Sequence, residues 1–146
     1  MSVVSPSPWL FWALASAAFA ALTAVFAKVG VGGVDSDFAT TVRTVVILLV
    51  SVTIVTIAGK WQPPSTVPGR TWLFLVLSGL ATGASWLCYF RALQLGEAAR
   101  VAPIDKLSVV LVAIFATLFL GEKLSAANWT GVMLIAAGAV LVGYRG

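Results

Sequence analysis

The sequence predicts an all-α integral membrane protein, with five transmembrane helices and short loops filling a single transmembrane domain over residues 1–146. Three observations predict it. Hydrophobic residues make up 60% of the chain and charged residues 10%, against roughly 25% charged in an ordinary soluble domain. Apolar stretches run over 9–29, 38–59, 72–95, 101–120 and 127–144. Each is close to the ~20 residues that a helix rising ~1.5 Å per residue needs to cross a ~30 Å hydrocarbon core. Five of the six tryptophans then fall at one membrane face, where indole anchors best.

The first span carries no Lys or Arg ahead of Trp9 and is too long for a signal-peptide core, so it reads as a retained helix. Gly30, Gly32 and Gly33 close it, and Asp35-Ser36-Asp37 offers an N-cap for the second span. Pro63, Pro64 and Pro68 mark the next connection, within the longest polar stretch, 60–71. Gly96 ends the third span and Gly121 the fourth, and Ser125 is placed to cap the fifth. Pro103 sits near the start of the fourth span. There it either occupies a first turn, where its missing N–H is harmless, or kinks the helix. Backbone exposed to lipid must satisfy its own hydrogen bonds, so the spans are helices, and short loops make neighbours antiparallel.

An odd number of spans puts the two ends of the chain on opposite faces. Trp9, Trp12, Trp61, Trp72 and Trp129 belong to the N-terminal face. Most charged residues belong to the other, with six Lys or Arg near its helix ends against three. Counting clear loop residues alone reverses the bias, so the positive-inside rule fixes no orientation. Either the chain inserts both ways, or several of the basic residues have work other than topology.

Composition narrows the function. No soluble portion remains to hold a nucleotide and no Gly-rich phosphate loop is present, which argues against ATP-driven transport by this chain. The nine basic residues are scattered rather than clustered in a stripe, so nucleic acid is not an expected partner. Histidine is absent and Cys88 is the one cysteine, so no metal site of the Cys/His kind is expected, no cofactor is called for, and Cys88 reads as a small packed thiol. No Ser/His or paired-acid constellation suggests an enzyme.

Ionisable residues inside a membrane are costly and mark function first. Arg43, Arg91, Asp105 and Lys106 lie at similar depth toward the charged face. They are candidates for substrate binding or coupling, able to pair with one another or to receive a carboxylate or phosphate. Against this, Arg43 and Arg91 could merely snorkel to the headgroups. Asp105 is too short to snorkel far and expects a partner among Lys28, Arg43 and Arg91. Thr40, Thr44 and Ser51 share a face of the second span. They line a cavity there or bond their own helix. Trp86 and Tyr89 lie deeper than the belt tryptophans, as core or as a ligand-facing wall. Gly79 and Gly83 are spaced for close helix approach, and Gly131 and Gly138 share a face of the fifth span, the first choice for self-association.

From the third span onward the chain resembles a known repeat. Ala92-Leu93-Gln94-Leu95-Gly96, Val101-Ala102-Pro103-Ile104, Phe119-Leu120-Gly121-Glu122-Lys123-Leu124 and the stretch 131–138 resemble the EamA repeat of the drug/metabolite transporter superfamily. The first two spans fit by position and length. Such proteins usually carry two five-helix repeats of opposite orientation, and this chain carries one, like the short bacterial and archaeal group. Gly131 and Gly138 resemble the seven-spaced glycines through which the distantly related small multidrug resistance proteins dimerise. The membrane-embedded Glu of those relatives has no counterpart, since the first span holds no acid.

The resemblance implies a multi-pass protein of a prokaryotic inner (plasma) membrane. It would transport a small metabolite by alternating access as an antiparallel homodimer, the second copy supplying the inverted repeat. Arg43 and Arg91 favour an anionic or zwitterionic substrate. Two alternatives stand beside it, a half-transporter needing a paralogous partner and a non-transporting or lipid-handling membrane subunit.

Overall fold

The computed structural model describes residues 8–144. It comprises α1 (Pro8–Gly30), α2 (Ser36–Ile57), α3 (Gly69–Leu95), α4 (Ala98–Asp105), α5 (Ser108–Phe115) and α6 (Ala126–Gly143). A 3-10 turn at Pro64–Thr66 precedes α3, and a turn of π-helix at Ala116–Leu120 closes α5. Helices α4 and α5 and the π turn follow one another as one membrane-length stretch, Ala98–Leu120. Five stretches are therefore long and apolar enough to span a bilayer, and the described residues include no strand. The all-helical, five-span fold class expected from the sequence is the one observed.

Helix starts lie one to three residues earlier than the apolar runs, and polar residues or loop carbonyls at the starts of α2, α3, α4 and α6 account for it. Asp35 caps α2, its Oδ1 accepting from the N–H groups of Asp37 (2.9 Å) and Phe38 (3.2 Å). The Pro68 carbonyl accepts from Thr71 and Trp72 to open α3 at Gly69. Glu97 opens α4 at Ala98, its carbonyl accepting from Arg100 and Val101. Ser125 caps α6, accepting from the Asn128 N–H and donating to the Asn128 side chain. Gly121, at φ 68°, takes the left-handed turn that ends the π segment, a conformation costly for any residue with a Cβ.

The helices group into two units, α2 with α3 in one and α1 with α4, α5 and α6 in the other. Within the first, α2 and α3 pack as a hairpin. Hydroxyls along α2 donate to carbonyls of their own helix, Thr40 to Ser36 (2.8 Å), Thr44 to Thr40 (2.8 Å) and Thr53 to Leu49 (2.8 Å). That satisfies them where no water would be at hand. Val31, Ser36, Thr40, Phe90 and Leu93 are its buried residues.

The second unit is built on smaller side chains. Its buried residues are all alanines: Ala24, Ala27, Ala113, Ala116 and Ala139. In lipid no hydrophobic force drives helix against helix, so close contact through small residues does the work. Here α6 packs on α4 and α5, and a Cβ built on Gly143 would lie 2.5 Å from Ile104 Cδ1. The Lys28 ammonium donates to the Gly96 carbonyl (2.7 Å), tying the end of α1 to the start of α4. Large apolar side chains face outward in both units, Leu80 at 67% exposure in the hairpin and Phe19 at 71% in the second unit, as lipid-facing surfaces require.

Pro103 is the sixth residue of α4, not a first-turn residue. Of the two readings of this proline, an interruption within the span is the one realised, because the helix begins a turn before its apolar run. Pro103 has no N–H to give the Ala99 carbonyl, and the chain beyond it tightens. Lys106 donates to Ala102 and Pro103, Leu107 to Ile104, Val109 to Lys106 and Val110 to Leu107. These mostly i→i−3 bonds are a short 3-10 joint between α4 and α5.

Candidate functional site

The described residues bring one set of the sequence candidates together, on the α2–α3 hairpin. Asp35 starts α2, and Arg43 lies seven residues beyond Ser36, ~10 Å into the span at ~1.5 Å per residue. On α3, Trp86 and Phe90 are one turn apart and so share a face. The Arg43 guanidinium carbon lies 4.3 Å from the Trp86 ring centroid and 5.2 Å from that of Phe90. Tyr89 meets Phe90 edge-on at 6.4 Å between ring centroids.

This geometry bears on the snorkelling reading of Arg43, which is half-buried. A helical side chain leans toward its own N-terminus, which for α2 is the charged face. A snorkelling arginine would move past Phe90 toward Leu95. Instead the guanidinium is nearer to Trp86, the deeper ring by a full turn. Placing an arginine in a helix centre costs about 3 kcal/mol on insertion scales. A desolvated cation–π contact returns up to about 2 kcal/mol. The remainder falls on the N–H groups, which find no carboxylate or carbonyl among the described residues.

Thr40 is buried and Thr44 follows one turn later on α2. Both hydroxyl protons are engaged with their own helix, so these oxygens can only accept. Thr44 and Ser51, expected on the same lining, are both exposed, and Thr40 alone of the three is buried. Phe90 was not singled out by the sequence reading, although its i+4 spacing from Trp86 carried the signal.

The other candidates are arranged differently. Arg91 is exposed and donates to the Gln94 side chain (3.4 Å), whose amide in turn donates to the Val34 carbonyl (3.0 Å). It points away from the Trp86–Phe90 face, being one residue, or ~100°, further round the helix from Phe90. Within its own unit Asp105 finds its partner in its chain neighbour rather than in the expected Lys28. Its Oδ2 accepts from Lys106, the next residue, at 3.1 Å. The joint between α4 and α5 explains this, because leaving the α-helical path lets two successive side chains meet. Cys88 is exposed rather than packed, since it lies about opposite both Trp86 and Phe90 on α3.

Of the helix-packing glycines, Gly79, Gly83, Gly131 and Gly138 have nothing within 4 Å of a built Cβ. At Gly143, by contrast, an added Cβ would meet the end of the Ile104 side chain. The interfacial tryptophans are satisfied locally where they bond. Trp61 donates to Thr56 and Trp72 to the Pro64 carbonyl, both at the turn of the hairpin.

Comparison with known proteins agrees with this architecture. The EamA-like transporter family matches residues 7–144. The chain belongs to that family. A curated relative from Sinorhizobium sp., named "Uncharacterized transporter in cobO 3'region", is 73% identical over 134 residues, covering 92% of this chain and 95% of the relative. This EamA-like chain and that relative thus share the size of a single five-helix repeat. No solved structure is significantly similar to it. The EamA-like chain is a multi-pass membrane protein of a transporter family.

Proposed function

We propose that the chain is a secondary transporter of a small anionic or zwitterionic metabolite. It works by alternating access as an antiparallel homodimer in the inner membrane of a prokaryote. The observation that carries this reading is Arg43, a cation inside a membrane span with aromatic neighbours and no acid to neutralise it. A fixed, uncompensated charge there is costly to structure alone, but useful to a protein that must draw an anion out of water. The single-repeat size, shared with a relative named as a transporter, supports dimerisation, because alternating access between near-equivalent states rests on an inverted second repeat.

Two measurements test this reading. Purified protein in proteoliposomes should exchange small carboxylic or amino acids down their gradients, and Arg43→Gln should abolish the exchange. Inert liposomes would favour a half needing another partner, or a non-transporting subunit. In a Cys88→Ala background, Gln62→Cys and Glu97→Cys should each be labelled from both sides of the membrane. A single orientation for each would sink the antiparallel homodimer.

A further inference from the structure

We propose that Arg43, Trp86 and Phe90 form a binding site for the carboxylate of an apolar organic acid, taken as its monoanion. The claim deepens the transport reading and rests on it for the purpose of the site. Its geometry stands by itself.

A guanidinium is planar. The Arg43 guanidinium carbon lies over the Trp86 ring (4.3 Å) and, further off, the Phe90 ring (5.2 Å). These contacts are made through ring faces that accept no N–H···O bond, so its five N–H groups keep their capacity to donate to an oxygen ligand. No acceptor among the described residues takes them. The aromatic rings therefore fix the fork without filling it, and a carboxylate matches the fork with two parallel hydrogen bonds. The depth of ~10 Å below the start of α2 lies beneath the level of lipid phosphates.

The charge count narrows the class. Arg43 is the cation that meets the Trp86–Phe90 face, while Arg91, at similar depth on α3, is exposed and turned to Gln94. The carboxylic acids of the same unit are Asp35, occupied as a helix cap, and Asp37 in the first turn of α2. The Tyr89 phenol, which interacts electrostatically with Arg43, is uncharged at neutral pH. One positive charge neutralises a monoanion. A phosphate or sulfate dianion would remain charged and stripped of water, at a cost one guanidinium does not offset. A zwitterion would bring an ammonium with no carboxylate beside it. The Thr40 and Thr44 oxygens can accept a hydrogen bond but carry no charge. The walls beyond the fork are indole and phenyl, so the rest of the ligand is apolar.

The test is equilibrium binding of radiolabelled benzoate to the purified full chain in phosphatidylcholine nanodiscs. Saturable binding is expected at one site per chain. Hexanoate should displace the label, whereas tenfold higher phenylalanine or inorganic phosphate should not. Arg43→Lys keeps the charge but not the fork and should weaken binding at least tenfold, and Arg43→Gln should abolish it. Trp86→Phe should weaken it a few-fold. Arg70→Gln, an arginine stacked on Phe74 in the first turn of α3, should leave it unchanged.

Absent saturable binding overturns the proposal. So does affinity unchanged in both Arg43 variants, or displacement by phosphate as effective as by hexanoate. Loss of benzoate binding on adding phosphatidylglycerol to the nanodiscs would also overturn it, by showing a headgroup site. If Arg43→Gln does not fold, Arg43→Lys still decides. Arg43-dependent binding in a protein that transports no acid would sink the transport reading and keep the site. Arg43-independent transport without binding would do the reverse.

Discussion

In the α2–α3 hairpin both helices run whole, and the embedded polarity is a side chain, Arg43, held by aromatic rings and unpaired with any acid. In the unit of α1 and α4–α6 the charges Asp105 and Lys106 neutralise each other at 3.1 Å, and the irregularity lies in the backbone, at the joint after Pro103. The buried side chains differ to match. Phe90 and Leu93 lie in the hairpin, and alanines alone in the other unit. The contrast suggests a division of labour. A whole hairpin with bulky packing holds a charge in a fixed place. Small-residue packing around an interrupted helix leaves a route for the backbone to bend, as mid-helix 3-10 stretches often do. Four substitutions would break or sharpen that contrast.

The largest effect belongs to Arg43. Removing a charge-assisted hydrogen-bond donor is worth about 1.5–3 kcal/mol, roughly ten- to 150-fold in affinity. Arg43→Gln should lose at least that much affinity and, with it, measurable acid exchange in proteoliposomes. Thermal unfolding in detergent should shift upward or not at all, since an uncompensated charge has been removed. A large loss of stability with transport retained would make Arg43 a structural residue and erase the contrast.

Gly143→Leu follows. Even a single added Cβ would meet Ile104 at 2.5 Å, and the Cγ1 atom behind it lies at 2.7 Å. Overpacking at such a contact costs about 1–3 kcal/mol, read as a lowered unfolding midpoint. Gly131→Leu and Gly138→Leu meet nothing within 4 Å and should leave that midpoint unmoved. If α6 is the self-association face, those two variants should instead lose the dimer in cross-linking. Equal destabilisation by all three would show that glycine at 143 has no special place in the α4–α6 contact.

How much of this was legible in the sequence follows from the solvent. Lipid rewards apolar surface on every side of a helix, so span number and approximate length could be read directly. Local chemistry was legible too, in the Asp35 and Ser125 caps and the Gly121 turn. What hydropathy does not carry is helix rotation. A soluble helix announces its buried face by amphipathicity, and these helices are apolar all round. Arg43 and Trp86 were legible as candidates, but not that they meet. Arg91 looked equivalent to Arg43 until α3 was seen to turn it outward to Gln94, and Cys88 was expected inside for the same reason. The pairing of Asp105 with Lys106 depends on the joint, and Pro103 alone could not distinguish a joint from a harmless first turn.

Trp86→Leu tests the hairpin's side of the contrast at a smaller scale. The stack on Arg43 is worth about 0.5–2 kcal/mol, and leucine keeps an apolar wall while removing the ring face. Acid affinity should fall up to roughly 30-fold, with the helical content by circular dichroism unchanged. Trp72→Leu, at the outer turn of the same hairpin, should not affect affinity. Its indole bonds only the Pro64 carbonyl.

The smallest effect is expected at the ion pair of the other unit. Lys106 is 57% exposed and Asp105 33%, so water or headgroups screen the pair. An exposed pair of this kind is worth about 0.2–1 kcal/mol. Asp105→Asn and Lys106→Gln should each move the unfolding midpoint slightly, and the double variant should cost no more than either alone, because both remove one shared interaction. Affinity for an organic acid should not change in any of the three. Pro103→Ala in the same background separates backbone from charge. It restores a donor for the Ala99 carbonyl and should slow amide exchange across 103–110. If Asp105→Asn instead abolished transport while leaving stability intact, the pair would be more than a local neutralisation. The embedded chemistry would then be shared between the two units rather than held by the hairpin.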